Sequence, residues 1–172
     1  LFGKIGGVAN NAGITGGFSL VGDVDLGRVR RMFDVNVVGT MLCCREAVRR
    51  MSTARGGTGG AIVNISSLVA KTGGAFEWVH YAASKGAINA FTIGLAREVA
   101  TEGIRVNAVA PGLIESDLHA DNGDPGRPAR MAPSIPMQRS GEPEEIAEGV
   151  VWLLSPAASY VTGSILEIGG GR

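Results

Sequence analysis

Cysteine is scarce in this chain of 172 residues: Cys43 and Cys44 stand side by side. Adjacent cysteines cannot close an ordinary unstrained disulfide, and no Cys-x-x-Cys is present. Neither a disulfide framework nor a thiolate zinc site is therefore indicated. His80 and His119 are too few for a histidine-rich metal site. No apolar run reaches the roughly 18 residues that a membrane-spanning helix needs. Net charge is missing as well, with 16 Lys plus Arg against 16 Asp plus Glu. Proteins that neutralise nucleic-acid phosphates are usually basic. The first residues, Leu1-Phe2-Gly3-Lys4, lack the charged start and long apolar core of a signal peptide. The expectation is a cytoplasmic protein with no metal, no nucleic acid and no membrane among its partners.

What is present suits a folded domain. Apolar residues make up 45 % and charged residues 19 %, and a chain of this length can bury a sizeable core. The 27 glycines follow no collagen-like period and mark turns and close backbone approach. Lys4 to Ala9 is a short strand candidate, closed by the turn residues Asn10-Asn11-Ala12-Gly13. From Leu26 to Met51 apolar positions recur at helical spacing, with Gly39 inside as a local cost. Arg55 to Gly60 breaks the chain. Ala61 to Ile65 reads as a buried strand ending at Ser66-Ser67, and a second long helix spans about His80 to Thr101. Ile104 to Val109 alternates like a strand, and Pro111-Gly112 then turns it. Residues 113–141 read as a long loop with short helices, Pro143 to Leu154 as a helix, and Ser164 to Ile168 as a last strand. Alternating strands and helices predict an α/β, doubly wound parallel sheet, Rossmann-like, in a single domain. Ligands bind such sheets beyond the carboxyl ends of the strands. Asn11, Ser67 and Pro111-Gly112 fall there.

The most pointed feature is Tyr81-Ala82-Ala83-Ser84-Lys85. Residues four apart share a helix face, so Tyr81 and Lys85 approach a common point. A nearby ammonium stabilises phenolate and brings a tyrosine toward acid/base use near neutral pH. The plain alternative is an amphipathic helix with a snorkelling lysine. Ser67 can hydrogen-bond a carbonyl oxygen, or simply end a strand. Asn36 is polar on an otherwise apolar helix face and must find partners; it satisfies a kink near Gly39 or holds a water. A serine hydrolase built on Ser66 or Ser67 with His80 is disfavoured, since no Gly-x-Ser-x-Gly elbow surrounds them.

Taken together, Asn10 to Gly13, Asn36, Ser67, Tyr81 with Lys85, and Pro111-Gly112 with Ser116 resemble the classical short-chain dehydrogenase/reductase family. The likeness runs almost from end to end, with a look of bacterial glucose dehydrogenases and 3-oxoacyl-carrier-protein reductases. It implies an oxidoreductase that interconverts a carbonyl and a secondary alcohol using NAD(P), with NADP ahead of NAD. By the resemblance, Tyr81 is the acid/base, and Lys85 lowers its pKa and binds the nicotinamide ribose. Ser67 orients the carbonyl, and Asn36 holds a relay water. Asn11, Ala12 and Gly13 line the adenosine side, Pro111, Gly112 and Ile114 meet the nicotinamide amide, and Ser116 binds the amide or the phosphates. The resemblance further implies a homotetramer and a small-molecule carbonyl or alcohol substrate. Residues 113–141, with Leu118, His119 and Met131, would form a substrate lid. Phe76, Trp78 and His80 would face the substrate or serve as packing.

The family's opening glycine-rich turn has no counterpart here. The expectation is therefore the C-terminal part of the domain, residues 1–172 without roughly the first three strands and the pyrophosphate site. Gly6 and Gly169 stand where the family carries aspartates. A non-catalytic dinucleotide-binding relative and an inactive fragment are the alternatives to an enzyme.

Overall fold

Four parallel strands carry the architecture: β1 Gly7–Asn10, β2 Gly60–Ile65, β3 Ile104–Pro111 and β4 Ile165–Ile168, hydrogen-bonded in that order. The structure is a computed structural model and describes residues 3–172. Leu1 and Phe2, part of the stretch read above for a leader, lie outside the described residues. The register sets Asn10 beside Asn64, Ile65 beside Val109 and Pro111 beside Ile168. The carboxyl ends of β1, β2 and β3 thus open onto one edge of the sheet.

The two faces of β2 explain why the strand is apolar throughout. Ile62 packs with Cys44, Ala47, Met51, Ala96, Val99, Ile104 and Val106. Its neighbour Val63 points to the other face and packs with Val109, Leu153 and Ala158. The first cluster is closed by α2 (Thr40–Met51) and α4 (Val79–Val99), the second by α7 (Pro143–Leu154). Helices therefore cover both faces, as a doubly wound sheet requires.

Residues 26–51 form one continuous rod, as the spacing predicts, but not one uniform helix. Between α1 (Leu26–Phe33) and α2 lies a π-helical turn, Asp34–Gly39. Asp25 caps the start by accepting from the Arg28 N–H at 2.8 Å. A short helix, α3 (Val69–Thr72), precedes α4. The helix read as Pro143 to Leu154 has those bounds, because Pro143 suits a first helical turn and the Glu142 N–H donates to Glu145 Oε2 at 2.8 Å. The strand read as ending at Val109 continues to Pro111, because a proline can still offer its carbonyl to a ladder; that of Pro111 accepts from Leu68 N–H.

The stretch 113–141 is a loop with two short helices, α5 (Asp117–Asp121) and α6 (Arg127–Met131). An isolated parallel bridge between Ile114 and Gly141 ties its ends together. Among the described residues, no helix is long and apolar enough to cross a membrane. None of their His, Cys, Asp and Glu side chains form a group of three or more that could hold a metal ion.

Candidate active site

A cavity of about 860 Å³ opens at the carboxyl edge of the sheet. Asn11 and Gly13 after β1, Ser67 after β2, Tyr81 and Lys85 on α4, Pro111 at the end of β3, and Gly112, Ile114 and Ser116 after it all line it. Two of the residues assigned to catalysis or the cofactor from the sequence do not. Ala12 is exposed, and Asn36 is fully buried behind the wall.

Tyr81 and Lys85 lie one turn apart on α4, with Lys85 Nζ 5.7 Å from the Tyr81 ring centre. Lys85 does not snorkel; it is only 4 % exposed, and Nζ donates to the Ile65 carbonyl at 2.7 Å. Burial lowers its pKa to about 8. The spacing argument predicts a lowered tyrosine pKa, and here the structure differs. Burial pushes the Tyr81 phenol up to about 12, and only the hydrogen-bonding hydroxyl of Ser67 pulls it back. The physical reason is that the phenol sits in an apolar wall beside Met32 and Trp78, where the charged form is poorly solvated. The neighbouring Ser66 is spent on structure, its Oγ donating to the Lys85 carbonyl.

Asn36 sits in the π turn and finds every partner in protein. Its Nδ2 donates to the Ile14 carbonyl at 2.8 Å and to Ser84 Oγ at 3.2 Å, and its Oδ1 accepts from the Ile14 N–H at 2.8 Å. Thr40 Oγ1 donates to its carbonyl at 2.8 Å. The amide thus anchors the loop that follows β1. Trp78 lines the cavity and His119 and Leu118 do too, whereas Met131 does not. Phe76 is 86 % exposed, and His80 is buried against the Gly17 carbonyl, so neither faces the cavity.

At the turn after β3, Gly112 N–H donates to Ile168 O and Pro111 O accepts from Leu68 N–H. Those two backbone groups are already in use. Gly112 itself is required by close approach, since a Cβ there would stand 2.7 Å from the Gly169 Cα. Gly169, in place of the family's aspartate, supplies the other half of that contact.

Two features test whether a nicotinamide dinucleotide fits. The Lys85 ammonium uses one donor on Ile65 and keeps two more beside the cavity, a set suited to vicinal hydroxyls. A Cβ on Gly13 would stand 3.4 Å from both Lys85 Nζ and Asn36 Oδ1. The missing side chain therefore leaves open the space next to that ammonium. The residues present fit such a group.

Sequence reasoning missed Arg127 and Glu77. Arg127 Nη1 and Nη2 donate to Glu77 Oε1 and Oε2 at 2.9 and 2.5 Å, joining α6 to the loop after α3. Both residues line the cavity. Fifty positions separate them, and each reads alone as a solvated loop charge, so no local signal pointed to the pair.

Residues 1–172 match the family model described as enoyl-(acyl carrier protein) reductase. The chain is 52 % identical over 165 residues to the uncharacterized oxidoreductase YgfF of Escherichia coli (strain K12), covering 96 % of this chain and 67 % of that protein. It is 37 % identical over 170 residues to glucose 1-dehydrogenase 2 of Bacillus subtilis (strain 168), covering 99 % and 65 %. A solved structure of a short chain dehydrogenase/reductase family protein superposes with a TM-score of 0.83 at 37 % identity, over 98 % of this chain and 67 % of that one. The chain thus spans about two thirds of the length of these relatives. With the Tyr81–Lys85 pair, the serine after β2 and the parallel sheet in one molecule, the chain belongs to the classical short-chain dehydrogenase/reductase family of oxidoreductases.

Proposed function

We propose that this chain carries the catalytic part of an NAD(P)-dependent oxidoreductase that interconverts a carbonyl and a secondary alcohol. The observation that supports this reading best is the convergence of Ser67, Tyr81 and Lys85 on one cavity at the carboxyl edge of the sheet. A bound nicotinamide dinucleotide would supply or take the hydride. The chain's own residues handle the proton. A phenol with a pKa near 12 is protonated at neutral pH, so Tyr81 can give its proton to the carbonyl oxygen. Ser67 donates a hydrogen bond to the same oxygen. The hydrogen-bonding Ser67 hydroxyl eases the charge on the phenolate that remains, and Lys85 Nζ stands 5.7 Å from the ring centre. Lys85 and the Asn11-Ala12-Gly13 turn would hold the ribose and adenosine portions. Pro111, Gly112, Ile114 and Ser116 would hold the nicotinamide end. Asn36 would serve this site through the loop it anchors, with a relay water as part of the same proposal.

NADP as the preferred dinucleotide, a cytoplasmic setting, residues 113–141 as a lid and a homotetramer belong to this proposal. Val38, Met41 and Leu42 leave apolar surface on the outer side of the rod, which suits an assembly of copies. The test is reduction of carbonyl compounds by NADPH and NADH with the full protein. Tyr81→Phe should lower turnover by about 10²- to 10⁴-fold while dinucleotide affinity stays the same. Undiminished turnover would remove Tyr81 from the reaction.

A further inference from the structure

The stretch 113–141 is fixed at its base by backbone and at its tip by side chains alone. At the base, Glu115 N–H donates to the Gly141 carbonyl and Gly141 N–H to that of Leu113, at 2.9 Å each. Beyond this base the segment is bonded to itself. Arg130 Nη1 and Nη2 donate to Asp124 Oδ1 and Oδ2 at 3.0 and 2.5 Å, and the Asp124 N–H donates to the His119 carbonyl at 2.9 Å. Asn122 Nδ2 donates to the Leu118 carbonyl. Residues 117–131 therefore form one body carrying α5 and α6, and its Leu118, His119 and Arg127 line the cavity. Among the described residues, none of this body belongs to the buried apolar clusters of the domain.

Two side-chain ties join the body to the rest of the described residues. Thr15 Oγ1 donates to Asn122 Oδ1 at 2.5 Å, from the loop that Asn36 anchors. Glu77, before α4, takes both terminal nitrogens of Arg127. That guanidinium also lies against two rings, 4.7 Å from the centre of Trp78 and 5.3 Å from that of Phe18. Trp78 meets the Tyr81 ring edge-on at 5.9 Å. Breaking a buried ion pair is usually costly because one charge stays behind unpaired in the interior. Here the cost is escaped. The Arg127 side chain, 6 % exposed, leaves with the body into water, and Glu77, already 41 % exposed, is hydrated where it stands. Trp78 and Phe18 remain stacked on each other, with ring centres 4.7 Å apart. Both ties thus hold the closed form without making the open one prohibitive.

We infer that Asn122 on Thr15 and Arg127 on Glu77 are the two latches of the lid, and that their joint release swings residues 117–131 off the cavity about the base at Leu113–Glu115 and Gly141. The inference rests on the reading of 113–141 as the lid of an oxidoreductase site. The four side chains are positioning residues. They hold Leu118 and His119 at the cavity and fasten the lid both to the loop that follows the Asn11-Ala12-Gly13 turn and to the wall beside Tyr81. A lid bonded within itself releases as a whole, so loosening one latch loosens the other.

The test is amide hydrogen exchange of the full protein without ligand, along a series of low urea concentrations. Helices as short as α5 and α6 do not hold by themselves in water, so a released lid exchanges freely. Its amides should share one opening that urea barely promotes, because little surface is exposed, whereas those of β2 and β3 exchange by unfolding that urea promotes strongly. Thr15→Val removes one latch hydroxyl and Glu77→Gln one latch charge. Each should speed exchange about tenfold over all of 117–131, α6 included for Thr15→Val and α5 included for Glu77→Gln. Lys71→Met, which breaks the exposed pair with Glu167, should leave the lid's opening as it was. Faster exchange only beside the substituted contact, no change in either variant, or lid amides that follow the urea dependence of β2 and β3 would overturn the inference. The readout needs no turnover. A lid that opens in this way in a protein that reduces no carbonyl compound would uphold the latches and count against the oxidoreductase reading.

Discussion

Asn36 grips Ile14 by both backbone groups, donating to its carbonyl and accepting from its N–H at 2.8 Å each. The loop that leads from β1 past the cavity is therefore pinned to the middle of the long rod. Asn36→Ala would leave both groups of Ile14 without these partners. A loss of about 2–4 kcal/mol is expected, read as a lower urea midpoint at unchanged slope. Dinucleotide affinity should fall with it. A midpoint equal to that of the parent would mean that the loop is held by its other bonds, such as Thr15 Oγ1 to Asn122 Oδ1.

Gly13 separates fold from ligand in a single substitution. Its Cβ would meet Lys85 Nζ and Asn36 Oδ1 at 3.4 Å, which is ordinary contact. Gly13→Ala should therefore leave stability within about 1 kcal/mol. The new methyl group would occupy space beside the ammonium, and dinucleotide affinity should fall about tenfold or more. Calorimetric titration with NADPH and NADH reads this directly, and unaltered affinity would move the ribose site elsewhere in the cavity.

Gly112 should behave in the opposite way. A Cβ at 2.7 Å from the Gly169 Cα meets backbone that cannot swing aside. Gly112→Ala should cost about 1–3 kcal/mol through overpacking, seen as a lower thermal midpoint before any ligand is added. No loss would show that the ends of β3 and β4 can part freely.

Three buried groups set the alkaline stability profile. Lys85 titrates near 8 in the folded chain against an ordinary 10.5, so the unfolded chain binds more protons between those values and stability rises with pH there. Burial raises Cys44 from 9.0 to about 12 and Tyr81 from 10.0 to about 12. Their stabilising contributions are whole below 9 and 10 respectively and are lost by 12. Stability should climb from pH 8 to 9 and then level and fall. Lys85→Met should abolish the climb, and Cys44→Ala should delay the fall. Urea midpoints measured along the series check both, and a flat parent profile between pH 8 and 9 would mean that water reaches the Lys85 ammonium.

Local signals made much of this molecule readable. Pro143 with its following acids located α7, and the β-branched run from Ala61 located β2, because the deciding interactions lie within a few residues. Asn11, Ser67 and Pro111-Gly112 at the sheet edge were readable for the same reason, since each ends or follows a strand, and Tyr81 and Lys85 were readable from their spacing of four on one helix. Properties that depend on distant partners were not. The Tyr81 phenol is raised because Met32, Trp78 and the rest of its wall exclude water, which spacing to Lys85 does not encode. The Arg127–Glu77 pair and its ring stack are formed by loops far apart in sequence. The π turn was invisible because apolar positions on either side of it still recur every three or four residues.

That turn makes one residue an angle rather than a length. Each residue advances a helix by about 100°, so the extra one within Asp34–Gly39 fixes how far α2 is rotated about its axis relative to α1. Deleting Val38 would leave the rod nearly as long and swing Cys44, Ala47 and Met51 away from Ile62. The Asn10 Nδ2 contact to Cys44 Sγ would go with them. The same rod that holds the loop beside the cavity also seals the sheet, and the two tasks stay in phase through a single inserted residue.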